Sequence, residues 1–217
     1  VMTFNHATED SDLDLIAADL DSLTVATESD LALVTGGTTD LSALTDLTAT
    51  TNGTFTQVAL AAAVNVTLDG SGQVVLGNLG DGAKTTGLTL VADGLTATTS
   101  VPSALTAGTI TDDESADTSI TLTDITGDVT IADSGIATRD LTFSAAVASG
   151  TLNLADATGI TARDVSITAA VTGDDTDAID IGDITSSGDV TIDLGGTSLR
   201  DGTAFGAIGL GAVTTTD

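Results

Sequence analysis

The chain has 217 residues, 32 acidic side chains against four basic ones, a formal net charge of −28, four Phe, and no Trp, Tyr or Cys. One Lys (Lys84) and three Arg (Arg139, Arg163, Arg200) cannot track a phosphate backbone or hold an anionic lipid surface, which excludes nucleic-acid binding and electrostatic membrane attachment. Without Cys there is no disulfide framework, and no apolar run reaches the roughly 18 residues of a membrane-spanning helix.

The acids are nearly all Asp, with Glu only at Glu9, Glu28 and Glu114. Asp disfavours helix interiors and bonds nearby N–H groups in turns, so Asp together with 24 Gly predicts a chain made of turns. The chain starts at Val1 without a leader-like segment, and reads as a mature product or an excerpt of a longer polypeptide.

In chain order, residues 12–23 place Leu13, Ile16, Ala17, Leu20 and Leu23 at helical spacing, with Ser11 and Asp14 set like a capping box. A short N-terminal helix is therefore an alternative to strands there. Apolar-polar-apolar triplets follow, among them Leu23-Thr24-Val25, Leu31-Ala32-Leu33 and Val66-Thr67-Leu68. Period-two alternation predicts short strands with one buried face. Gly-rich breaks near 70–82 and the acidic run 112–117 divide a less regular region, 1–111, from a regular one, 112–217.

In the regular region Gly135-Ile-Ala-Thr-Arg-Asp-Leu-Thr-Phe143 returns 24 positions later as Gly159-Ile-Thr-Ala-Arg-Asp-Val-Ser-Ile167, with a degenerate third copy at Ser198–Phe205. A second repeating strand reads Gly127–Ile131, Gly150–Leu154 and Gly188–Ile192. Units this short cannot bury their own apolar face and must stack on neighbours. The prediction is an all-β, parallel β-solenoid with coils of roughly 20–27 residues, nine of them giving a rod of roughly 40 Å at about 4.8 Å per coil. A β-sandwich also uses short strands, but does not require near-identical 24-residue units. The apolar tail Phe205–Val213 reads as an end coil that needs a neighbour.

Chemistry-bearing residues are few. His6 is the one His, near a chain terminus expected to be mobile, and there is no Cys, so His- or Cys-based nucleophilic sites and His-ligated zinc have no ligands. A carbohydrate-active β-helix would use paired carboxylates, but the aromatic platforms of sugar sites are missing. The chain is read as non-enzymatic. Stacking turns a repeated Asp into a column whose neighbours repel by roughly 0.9 kcal/mol in water and roughly 3.5 kcal/mol at an effective dielectric of about 20. Arg139, Arg163 and Arg200 precede Asp140, Asp164 and Asp201 and are expected to pair with them. No basic residue sits beside Asp112, Asp113, Glu114 and Asp117, or beside Asp174, Asp175, Asp177 and Asp180; these eight are the candidate ligands for Ca2+, which takes hard oxygen donors in flexible turns. An ice-binding face would need outward Thr aligned on every coil. The outward residues Thr130, Thr142, Asn153, Ser166, Asp180 and Thr191, taken as one column, are broken. Asn52-Gly-Thr54 and Asn65-Val-Thr67 match the glycan acceptor pattern.

The Cys-free triplets rich in Thr, Ala, Gly and Asp, such as Gly127-Asp-Val-Thr-Ile131, resemble the repetitive β-strand regions of bacterial surface-layer (S-layer) proteins and related giant surface proteins. The resemblance spans nearly the whole chain and is carried by composition and period. It implies a secreted protein at the cell surface that self-assembles with copies of itself in a calcium-dependent lattice, with a cell-surface glycan as a further partner. A lattice or filament subunit is the first expectation; the stalk of a secreted adhesin is the alternative.

Overall fold

The computed structural model describes residues 1–6, 11–13, 15–33, 41–57, 60, 62, 64–79, 88–97, 103–111, 117–136, 139–154, 159–172, 178–195 and 208–215. The strands in chain order begin with β1 (Met2–His6), β2 (Ser11–Leu13), β3 (Ser22–Thr27), β4 (Leu31–Leu33), β5 (Asp46–Thr51), β6 (Thr54–Gln57) and β7 (Asn65–Asp69). Next come β8 (Gln73–Leu76), β9 (Thr89–Asp93), β10 (Ser103–Thr111), β11 (Thr118–Thr126), β12 (Asp128–Ile136), β13 (Leu141–Ser149) and β14 (Thr151–Leu154). The last are β15 (Ile160–Ala162), β16 (Val165–Val171), β17 (Ala178–Ile181), β18 (Ile184–Ser186), β19 (Val190–Gly195), β20 (Ile208–Leu210) and β21 (Val213–Thr215). Among the described residues there is no helix.

The chain is a β-solenoid. One sheet runs β1-β3-β5-β7-β9-β11-β13-β16-β19, and the other runs β2-β4-β6-β8-β10-β12-β14-β17-β20. A shorter ladder, β15-β18-β21, joins the second sheet through β12. Up to β14 the strands alternate between the sheets, and beyond it β14–β15, β17–β18 and β20–β21 fall consecutively in the second; every pair is parallel, as in β13 on β16 and β14 on β17. Eight spacings of about 4.8 Å make the first sheet about 38 Å long.

Burial follows the pleat. β13 alternates buried and open positions from Leu141 through Val147, and β7 does so from Asn65 to Asp69. One column of the first sheet runs Met2, Leu23, Leu47, Val66, Leu90, Ile120, Phe143, Ile167, Ile192. Its members belong to, or pack against, a single apolar cluster that extends from Leu23 to Ile184. The steps along this column are 21, 24, 19, 24, 30, 23, 24 and 25 residues, so the 24-residue unit is one value in a range somewhat wider than expected. Coil length can vary because only the inward side chains must meet from one coil to the next.

Four readings change. Residues 11–13 and 22–27 are strands, and Leu13, Leu15 and Ala17 pack against the core while Ile16 is 67% exposed; the period there is two, so the helical alternative falls. His6 closes β1 opposite Thr27 instead of lying in a loose terminus. The 24-residue repeat holds from Leu141↔Val165 to Val147↔Val171, but Gly135 stands beside Thr161 instead of Gly159. A two-residue slip leaves each side chain on its own face, so the pleat tolerates it. Finally, Gly127–Ile131 and Gly188–Ile192 are identical in sequence but not equivalent: Val129 pairs Leu152 in the second sheet, and Val190 pairs Val165 in the first. The degenerate copy at 198–205 lies outside the described residues, as does the start of the apolar tail.

Candidate functional site

Parallel stacking brings one residue from each coil into line at the entrance to the first sheet. The pairs Thr118↔Leu141, Leu141↔Val165 and Val165↔Val190 set the preceding residues, Asp117, Asp140, Asp164 and Asp189, one above another. Asp117 Oδ1 accepts the Asp140 N–H at 3.2 Å, and Asp164 Oδ1 accepts the Asp189 N–H at 2.8 Å. The backbone returns the contact, with the Thr118 N–H on the Asp140 carbonyl at 3.0 Å and the Leu141 N–H on the Asp164 carbonyl at 2.9 Å. Each Asp thus satisfies backbone groups where the chain enters a sheet.

Arg163 sits on this column. Its guanidinium donates to Asp140 Oδ2 at 2.6 Å and lies 3.5 Å from Asp164 Oδ2. Of the expected Arg-Asp pairs, Arg163 with Asp164 is present as the longer contact, and the shorter one is made to Asp140 of the coil before; Arg200 and Asp201 lie outside the described residues. The Arg163 hydrogen bond, and then its charge, hold the Asp140 carboxyl below the usual carboxylate range, and the Arg163 guanidinium is held correspondingly more basic. The other Asp140 oxygen is covered and closes no hydrogen bond of good geometry. Asp140, Asp164, Asp189, Thr142, Ser166 and Thr191 line a groove of about 270 Å3 floored by Leu141 and Val165. Its polar lining is all carboxylate and hydroxyl oxygen, and Arg163 supplies the positive charge beside it.

The same device recurs around the rod. Asp30 Oδ1 accepts the Thr54 N–H at 2.6 Å, Asp128 Oδ1 the Thr151 N–H at 2.8 Å, and Asp183 Oδ1 the Ala212 N–H at 2.7 Å. Sequence reading missed Asp30, Asp128, Asp183 and Asp189 as a class. The signal was present as an Asp standing at or immediately before the first residue of a strand, but its partner lies 23 to 29 residues away. Of the candidate cation ligands, Asp117 stands in the column just described and Asp180 lies on the outer face of β17, between Asn153 and Gly209. The structure does not bring those two together. Asp112, Asp113, Glu114, Asp174, Asp175 and Asp177 lie outside the described residues. Among the described residues no group of three or more His, Cys, Asp or Glu is placed to hold a metal ion.

Both glycan-acceptor Asn side chains are tied to the coil beneath: Asn52 Nδ2 donates to Glu28 Oε2 and Asn65 Nδ2 to Asp46 Oδ1, each at 2.7 Å. Asn52 Oδ1 in turn accepts from Ser71 Oγ at 3.1 Å. Hydrogen bonds from Thr45 and then Asn65 hold Asp46 below the usual carboxylate range.

Beside the Asp column lies the outward face of the first sheet. One column of that face runs Ser22, Asp46, Asn65, Thr89, Ser119, Thr142, Ser166, Thr191, and the next runs Thr3, Thr24, Thr48, Thr67, Val91, Thr121, Ser144, Thr168, Asp193. Thirteen of these seventeen positions are Thr or Ser, and none is buried. The broken Thr column of the sequence reading mixed two faces: Thr142, Ser166 and Thr191 belong to this sheet, whereas Thr130, Asn153 and Asp180 belong to the other. The second sheet's outward column, from Asp12, Ala32 and Thr56 through Val75 to Asp180 and Gly209, has no common chemistry.

Comparison with protein-family profiles, with characterised proteins and with solved structures found no significant match.

Proposed function

We propose that this chain is a non-enzymatic structural segment of an extracellular surface assembly, a self-associating layer or filament stabilised by divalent cations. The observation that carries the reading is the single apolar cluster that runs from coil to coil beneath two continuous parallel ladders. Such a body has nearest-neighbour cohesion along its whole length, which suits a stiff spacer or building unit. Composition supports the compartment: a Cys-free chain with a charge of −28 stays soluble and repels nonspecific anionic partners. The cation component rests on composition, 32 acidic side chains against four basic ones, since divalent ions relieve repulsion between carboxylates.

Electron microscopy of the purified chain with Ca2+ and then with chelator tests this. Ordered sheets or filaments that disperse on chelation are expected. Isolated rods indifferent to Ca2+ would move the reading to the stalk of a secreted adhesin, and turnover of any substrate in a polysaccharide panel would overturn the non-enzymatic reading.

A further inference from the structure

We propose that two copies of this chain associate through the outward hydroxyl face of the first sheet, packed face to face. This inference rests on the self-association reading and names the surface that performs it.

Charge distribution selects the face. The chain carries −28, so most ways of bringing two copies together oppose like charges. In the two central columns of this face only Asp46 and Asp193 are charged among seventeen positions. The acids gather at its margins: Asp140, Asp164 and Asp189 on one side, Asp69 and Asp93 on the other. Depletion of charge at the centre is a feature of protein interfaces, met here by hydroxyls in place of large apolar side chains. Thr supplies a methyl group to bury and a hydroxyl that both donates and accepts, so facing hydroxyls can pair with one another or through shared water.

Area is sufficient. Nine strands at about 4.8 Å and five residues at about 3.3 Å give a face of roughly 38 by 16 Å. Two such faces bury about 1,200 Å2 in total, the lower end of specific interfaces. The contact is therefore weak, and because the same face is used on both copies it closes at a dimer. The second sheet's outward column, with Val75 and Asp180 among Thr and Gly, offers no comparable surface.

The test is sedimentation velocity over a concentration series at about 0.15 M salt, where the Debye length is about 8 Å. Wild type is expected to form reversible dimers. Thr121→Asp with Ser144→Asp should weaken association at least tenfold, while Thr106→Asp with Thr130→Asp on the second sheet should leave it unchanged. Asp193 already occupies the same column as Thr121 and Ser144, so the substitution suits the pleat, and circular dichroism checks the fold. Because the chain has no Cys of its own, Val91→Cys on the central strand gives a second readout. A short bis-maleimide should link it into dimers, and should not link Thr106→Cys. Association that persists unchanged in the double Asp variant, without cross-linking at position 91, overturns the face while leaving self-association standing. A monomer at every loading overturns both; if that monomer also slows ice-crystal growth, the face binds ordered water instead.

Discussion

Arg163 shows how one cation serves several acids. It bridges Asp140 and Asp164 with side chains that are 44%, 30% and 45% exposed, so solvent screens the pairing and its net value is small. Arg163→Gln should lower the urea midpoint slightly at pH 7. Asp140 has a depressed folded-state pKa, so its contribution is complete above the unfolded Asp range, about 3.9, and is lost as pH falls through the lower folded value. Wild type and variant should therefore converge as pH falls below the ordinary Asp range; a gap that stays constant with pH would show that Arg163 acts by packing alone. Gly150 makes a different residue-scale demand. It holds φ at +110°, and a Cβ there would lie 2.4 Å from the Gly127 carbonyl carbon. Gly150→Ala should cost about 1–3 kcal/mol from backbone strain alone, whereas Gly195→Ala, with open space around the added carbon, should stay within about 0.5 kcal/mol. Paired thermal melts of the two variants check this.

At the scale of the strand, stability is a property of columns. Phe143 is 1% exposed, between Ile120 and Ile167 of the adjoining coils, and no other element can collapse into the space without breaking the ladder. Phe143→Ala should destabilise by about 3–5 kcal/mol, read from the urea midpoint, and hydrogen exchange should quicken first in β11, β13 and β16. Exchange that quickens evenly along the rod would instead mean one all-or-none unit. Strand identity was legible from period-two alternation, and turn positions from Asp and Gly. Strands β10, β11, β12 and β13 are nine residues each, longer than their triplets suggested. Backbone pairing with the neighbouring coil carries the strand past the point where sequence alternation fades.

At the scale of the whole molecule, a charge of −28 on a narrow rod works against the compact state. Added NaCl should raise the melting temperature, by about 2–4 °C for each kcal/mol of repulsion screened in a chain of this size. Ca2+ at matched ionic strength should raise it further where carboxylates are bridged; equal effects of the two salts would reduce the cation component to screening. The column at Asp117, Asp140, Asp164 and Asp189 was only half legible. Its Arg-Asp members stand in the 24-residue repeat, but Asp189 follows a different local sequence and joins them only because Val190 pairs with Val165.

The sequence by itself determined the class of structure: alternating apolar residues, short units and a 24-residue copy admit a stacked all-β body, because such units cannot bury their apolar face alone. Only the tertiary structure decided which face each triplet occupies. The pentapeptide at 127–131 and its duplicate at 188–192 enter different sheets, since a strand's sheet is set by how many residues the turns before it consume and by which inward side chains it meets on the next coil. That assignment separates one hydroxyl face from one mixed face, a distinction that no reading along the chain could make.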